Sequence, residues 1–342
     1  MIPAYGSKKH LATDWRLGMT KRLRAAHNRG FILCRCLAVS ALLALTISLS
    51  SCKKQEAPAA TEAAQKTFAS PDEAGKALAE AAKADNRDAL LAIFGPGSKD
   101  IIYSGDATED KDSIEGFAAA FARMNRWRKL NDGSQTLLVG ETNTAFPVPL
   151  KKNGSSQWYF DTPAGKDELL AQRIGRNELA AVDVCAALAD AQTEYFAQKH
   201  DGVKQYAQKF ISDEGKQNGL YWQSPEGKPR SPLGPLVAFA TSEGYKVQPK
   251  ERQPFHGYYF RMLDKQGPDT KDGAKDYLID GKMIGGFAFV AYPAEYGNSG
   301  VMTFIVGKDR VIYQQNLGKT TDETASAMTD FNPDKDWTKV GQ

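Results

Sequence analysis

Imidazole and thiolate chemistry is confined to very few residues of this 342-residue chain. From residue 52 onward the histidines are His200 and His256, and the cysteines are Cys52 and Cys185. A structural zinc site takes four ligands and a catalytic one usually three protein side chains, so no metal centre is expected. Cys185 sits on the apolar side of a predicted helix, where cysteine behaves as a small hydrophobe and not as a nucleophile. Neither Gly-x-Ser-x-Gly nor His-Glu-x-x-His occurs, the Ser-x-x-Lys spacings at Ser50–Lys53 and Ser51–Lys54 fall across the end of the leader, and no Gly-rich phosphate loop with its lysine is present. No catalytic residue, metal or cofactor is assigned from these patterns.

Carboxylates are more numerous. The acidic run Asp106, Glu109, Asp110, Asp112 lacks the spacing and glycine of a calcium loop, and it reads as a solvated loop that caps the following helix. Asp161 and Glu178 stand beside Trp158, Arg173 and Arg176; they read as a salt bridge joining a strand to a linker helix in preference to a catalytic pair. An aromatic and basic set follows: His256, Tyr258, Tyr259, Arg261, Tyr292 and Tyr296. On a strand, alternate residues face opposite sides, so His256, Tyr258 and Phe260 would share one face, and Tyr259 and Arg261 the other. That second face either presents Tyr259 and Arg261 to a partner, as interface hot spots do, or packs across strands with Arg261 paired to a carboxylate. The binding candidates are therefore Trp158, Arg173, Arg176, His256, Tyr259, Arg261, Tyr292 and Tyr296.

The remaining cysteine carries a different chemistry. Lys21, Arg22, Arg24 and Arg29 precede an apolar run at 37–49, which leads into Leu49-Ser50-Ser51-Cys52. That order is a secretory signal with small residues at its cut site, and the run is short of the roughly 20 residues a membrane span needs. The tetrad looks like a bacterial lipobox, which predicts cleavage before Cys52 and lipid on its thiol; an uncleaved anchor is the alternative. Two acyl chains anchor stably where one binds reversibly. Met19 is a better start than Met1, and Lys53, where an aspartate would retain the chain at the inner membrane, favours the outer membrane.

Residues 1–51 hold eight Lys or Arg against one acid, so the formal charge of +3 misleads. From Cys52 onward 36 basic face 40 acidic residues, a net of −4, and a mildly acidic body makes nucleic acid an unsuitable partner. With 42% hydrophobic and 25% charged residues the chain is ordinary globular material, long enough for two domains.

The elements that must position these residues begin after a tether, 52–66, which has almost no large apolar side chains. Ser70-Pro71-Asp72-Glu73 reads as a capping box opening a helix. A second helix spans 86–94, ending at Gly95-Pro96-Gly97, and a third follows Asp112. Segments 136–139, 145–150 and 157–161 read as strands, with Asn153-Gly154 as a turn. Three helices followed by a curled antiparallel sheet suggest an α+β cone like that of nuclear transport factor and its relatives. Helix 176–198 then links this domain, 67–175, to a second, 176–342. There a helix is expected over 203–210, a proline-rich loop over 219–235, strands at 256–263, 285–292, 301–306 and 310–314, and a helix or turn at 325–331.

Phe255-His256-Gly257-Tyr258-Tyr259-Phe260-Arg261, Met283-Ile284-Gly285-Gly286-Phe287-Ala288 and Ala291-Tyr292-Pro293-Ala294-Glu295-Tyr296-Gly297 resemble a bacterial exported family catalogued as domain of unknown function 2950. Trp158-Tyr159-Phe160-Asp161-Thr162 and Arg173-Ile174-Gly175-Arg176-Asn177-Glu178-Leu179 fit the same pattern. The resemblance spans roughly residues 68–340 and implies no activity. The second domain also looks like the globular head of pseudopilins, without their apolar assembly helix. Two expectations follow. The first is a non-catalytic envelope lipoprotein binding a protein or cell-wall partner; the second is a small-ligand carrier or enzyme with a pocket in the cone, next to Trp158 and Tyr159.

Overall fold

A computed structural model describes residues 64–228, 230–246 and 252–341. The expected leader, the expected lipidation at Cys52 and the expected tether up to residue 63 lie outside the described residues. Residues Ala64–Gln342 form one compact unit, whose two hydrophobic clusters are filled by residues from Phe68 to Val340. The unit therefore supplies its whole core from its own chain. The last residues of the expected tether already belong to it: Gln65 Nε2 donates to Ile93 O at 3.0 Å and Phe160 O at 2.7 Å.

The first layer is helical. α1 (Pro71–Lys83) starts at Ser70, whose side chain accepts from Glu73 N at 3.2 Å, while Glu73 Oε2 accepts from Ala69 N at 2.9 Å. Two orphan donors are thus satisfied, and the helix buries Ala74, Leu78, Ala81 and Ala82. α2 (Arg87–Phe94) is capped by Asn86 and ends at Gly95, whose φ of 76° suits glycine. α3 (Lys99–Ile102) is a single turn. α4 (Ala107–Arg123) begins five residues before Asp112, because Asp106 is its N-cap, accepting from Thr108 N at 3.1 Å and Glu109 N at 3.2 Å. The acidic run does cap this helix, and Asp112 is exposed, but Asp106 and Asp110 are buried.

β1 (Asn125–Lys129), β2 (Gln135–Val139), β3 (Thr144–Ala145), β4 (Leu150–Lys152) and β5 (Trp158–Phe160) form an antiparallel sheet in the order β1-β2-β4-β5, with β3 also on β2. β1 was not expected, since Asn125-Arg126-Trp127-Arg128-Lys129 carries three cations on an edge. α5 (Thr162–Ala197) then runs 36 residues, about 54 Å, starting fourteen residues ahead of the expected position 176. Pro163 lies in its first turn, where the missing N–H costs nothing. Gly165 lets that turn approach Pro147 O, which an added Cβ would meet at 2.5 Å.

Beyond α5 the hairpin β6 (Lys199–His200) and β7 (Val203–Lys204) replaces the helix expected over 203–210. The backbone there is claimed by other partners: Gln192 exchanges two bonds of 2.8 Å with the N–H and carbonyl of Ala207, and Tyr206 N donates to Met283 O at 2.8 Å. α6 (Gly234–Ser242) closes the proline-rich loop. The second half is built on β8 (Tyr258–Leu263), with short pairs β9 (Lys265–Gln266), β10 (Lys275–Asp276), β11 (Leu278–Ile279) and β12 (Lys282–Met283), then β13 (Ala288–Pro293), β14 (Thr303–Gly307) and β15 (Ile312–Gln315). α7 (Thr321–Ala327), β16 (Asp330–Phe331) and β17 (Thr338–Lys339) complete it. The main sheet is antiparallel in the order β17-β15-β14-β13-β8. β13 is buried at every position, because α5 and α7 pack against this sheet. The protein is thus α+β with antiparallel sheets.

Candidate functional site

On α5, Leu169, Gln172, Arg173 and Arg176 follow one another at the spacing that places residues on one helix face. With Ser113, Ile114 and Phe117 of α4, Leu78 and Ala82 of α1 and Leu90 and Phe94 of α2, they line a pocket of about 140 Å³ that opens to solvent. Its wall is mostly aliphatic and aromatic. Phe146, between β3 and β4, packs 5.2 Å from Phe117 and 6.1 Å from Phe94, measured between ring centres. The lining contains two arginines and no carboxylate.

Arg173 is fixed by oxygens that carry no formal charge. Nη1 donates to Asp100 O at 2.6 Å and to Asn298 Oδ1, and Nη2 donates to Ile101 O at 2.6 Å. Burial pulls its pKa down, which Asp110 and Glu109 oppose. Arg176, one turn on, is exposed, and among the described residues no acid closes an ion pair or hydrogen bond with it.

A buried polar cluster adjoins the arginines. Asp106 Oδ2 accepts from Tyr245 Oη and from Gly257 N, both at 3.0 Å, so its two oxygens serve four donors. Tyr245 Oη in turn accepts from His256 N at 3.1 Å, and burial with the Asp106 charge drives the phenol far above its usual range. Glu109 Oε2 accepts from Asn177 Nδ2 at 3.0 Å, and Asn177 also donates to Ser299 O at 3.0 Å. Burial and the neighbouring Asp106 raise the Glu109 pKa to about 7, against the pull of Arg176, His256 and Asn177. His256 Nε2 stands 3.1 Å from Glu243 Oε2.

The sequence candidates fall into separate groups. Arg173 and Arg176 share the pocket, while Trp158 and Tyr159 do not line it. Trp158 is buried in the first sheet under Lys152. Asp161 pairs with Lys151 at 2.7 Å, and Glu178 accepts from Val301 N and Met302 N at 3.0 Å, so these two acids do not meet. His256 is not on the strand face assigned to it: its φ is +49° and that of Gly257 +71°, a turn that delivers Phe255 back against Tyr258 before β8 starts.

Tyr259 and Tyr292 are paired across β8 and β13, and Arg252 covers both rings at 4.0 and 5.3 Å. Arg261 donates to Ala325 O at 3.0 Å and to Met328 O, at the end of α7, rather than to a carboxylate. Tyr296 lies apart, bonded to Asn316 at 3.0 Å. Asp106, Glu109, Tyr245 and Glu243 were missed or set aside, and only the raised proportion of acids before α4 pointed toward them.

A second cavity of about 330 Å³ is lined by Tyr195, His200, Trp222, Gln217 and Arg230 among others. Burial pushes the Cys185 thiol up to about 12, which removes it as a nucleophile at neutral pH. Among the described residues no group of three or more His, Cys, Asp or Glu is placed to hold a metal ion, and no helix is long and apolar enough to cross a membrane.

The profile of the family described as "Protein of unknown function (DUF2950)" matches residues 65–340. No curated protein and no solved structure matches the chain, so the likeness of the second half to pseudopilin heads gains no support.

Proposed function

The chain belongs to the DUF2950 family, and from that premise we propose that it is a lipid-anchored, non-catalytic envelope protein whose folded part carries a small apolar ligand. The observation that carries this reading is the pocket among α1, α2, α4 and α5, whose apolar lining with a few polar groups at one side fits a site for a small or slender ligand. The anchor rests on the leader and Leu49-Ser50-Ser51-Cys52, which support a folded part on the periplasmic side, and Lys53 favours the outer membrane.

Two measurements test it. Purified Ala64–Gln342 should raise the fluorescence of the neutral apolar dye N-phenylnaphthylamine, and Ile114→Trp, which fills the pocket, should abolish the rise. A dye response equal in both proteins overturns the carrier reading. Lipid on Cys52 predicts that Cys52→Ala leaves the membrane fraction; unchanged fractionation overturns the anchor.

A second reading, a protein partner, is favoured by the β11–β12 hairpin, where Leu278, Ile279 and Ile284 are 38%, 45% and 43% exposed. Side chains of this kind grouped on one exposed turn mark interaction surfaces. Replacing all three by serine should then abolish capture of that partner without changing dye binding.

A further inference from the structure

We propose that the pocket takes an anion carrying one apolar chain, its head held at Arg176 beside Arg173, and that Glu109 competes with that head for Arg176. The inference rests on the carrier reading of the same pocket and adds the ligand's charge and its control.

Charge bookkeeping around the pocket leads to the head group. Two guanidinium groups and no carboxylate reach the lining, so an anionic head entering the pocket meets positive charge with no acid in the wall itself to repel it. Arg173 spends its N–H groups on Asp100 O, Ile101 O and Asn298, which orients it without neutralising it. Arg176 is exposed and has no acid in contact among the described residues, so its fork is open to a carboxylate, sulfate or phosphate oxygen. The apolar chain then lies against Leu78, Phe94, Ile114 and Phe117, where burial of its methylenes favours binding.

Glu109 supplies the control. It sits one helical turn before Ser113 of the pocket wall, so both project from the same face of α4. The charged groups acting on it come from every packed element. Asp106 on α4 repels its ionised form, while Arg176 on α5 and His256, before β8, attract it. Asn177 holds one oxygen at 3.0 Å; Arg173 and Tyr245 sense the same charge, and Glu243 stands behind His256 at 3.1 Å. A carboxyl so placed changes charge near neutrality. Protonated, it leaves Arg176 to the ligand. Ionised, it offsets the Arg176 charge and repels an anionic head, so binding weakens as pH rises.

The test uses Ala64–Gln342, which carries both cores complete. Octanesulfonate, anionic at every pH used, and uncharged octanol displace N-phenylnaphthylamine at about pH 5.5 and about pH 8.5. Octanesulfonate should bind about tenfold more weakly at the higher pH, and octanol equally at both. Glu109→Gln should bind octanesulfonate tightly at both pH values. Arg176→Gln should weaken octanesulfonate about tenfold and leave octanol unchanged. Equal displacement by the two probes, or indifference to Arg176→Gln, removes the anionic head while the carrier reading stands. A pH slope that persists in Glu109→Gln overturns the control by Glu109. If neither the dye nor either probe binds, the carrier reading itself fails and takes this inference with it.

Discussion

Asp106 and Gly257 are 151 positions apart in the chain, yet Gly257 N donates to Asp106 Oδ2 at 3.0 Å. Helix α4 therefore begins on a carboxylate that also holds the turn before β8, and the two halves of the unit are joined by a charged hydrogen bond with no water-exposed surface, since Asp106 is 1% exposed.

Asp106→Asn should therefore destabilise strongly. The carboxylate accepts from Thr108 N, Glu109 N, Tyr245 Oη and Gly257 N, and an amide nitrogen put in place of one oxygen faces donors with a donor. Hydrogen bonds to a charged group contribute about 1.5–3 kcal/mol, and a buried unsatisfied donor costs about as much. The urea midpoint should fall by the equivalent of about 3 kcal/mol; an unchanged midpoint would show that the junction is held elsewhere.

Glu109 gives stability a pH dependence whose sign is fixed. Its carboxyl holds a proton up to about pH 7 in the folded chain, against an ordinary value of 4.5. Below 4.5 both folded and unfolded chains carry the proton, and there is no effect. Between the two values only the folded chain carries it, so stability falls as pH rises, and above about 7 the loss is complete. The gap is worth at most about 3 kcal/mol. Glu109→Gln, which can still accept from Asn177, should match the wild type near pH 4 and exceed it near pH 8 by about 2 kcal/mol. Asp110, raised by its own burial, leaves part of the slope in the variant. Denaturation midpoints that converge at high pH instead of low pH would refute the assignment.

How much of this was legible depended on range. The α1 cap was readable because Ser70, Pro71 and Glu73 act within four residues. Arg173 and Arg176 were picked out from the sequence, but not as one helix face, because the helix was expected to start only at 176. The first fourteen residues of α5 were not readable, since Pro163, Gly165 and Gly175 look like breakers; the proline is in a first turn and Gly165 answers a close approach to Pro147. His256 was assigned to a strand face because alternation says nothing of the positive φ at His256 and Gly257. The polar cluster depends on Asp106 meeting Tyr245 across 139 residues, and no local pattern encodes such a pairing.

Cys185 should resist alkylation. It is 0% exposed and its thiol is held up to about 12, so almost no thiolate exists at neutral pH. Iodoacetamide at about pH 8 should leave native Ala64–Gln342 unlabelled and label it fully in denaturant, as intact mass will show. Prompt labelling of the native protein would mean that α5 opens from the main sheet without global unfolding.

Gly165→Ala sets two effects of opposite sign against each other. Alanine favours an α-helix over glycine by about 1 kcal/mol, and the position lies in the first turn of α5. The new Cβ, however, would stand 2.5 Å from both Pro147 O and Val148 Cα, atoms of a backbone that cannot swing aside. Overpacking of this kind costs about 1–3 kcal/mol, and Val148 is fully buried, so repulsion should win and stability should fall by up to about 2 kcal/mol net. Because the displaced segment adjoins Phe146, which lines the pocket, N-phenylnaphthylamine should also bind more weakly. A stabilised variant would show that α5 and the 147–148 segment can separate freely, and that the pocket wall is softer than its packing implies.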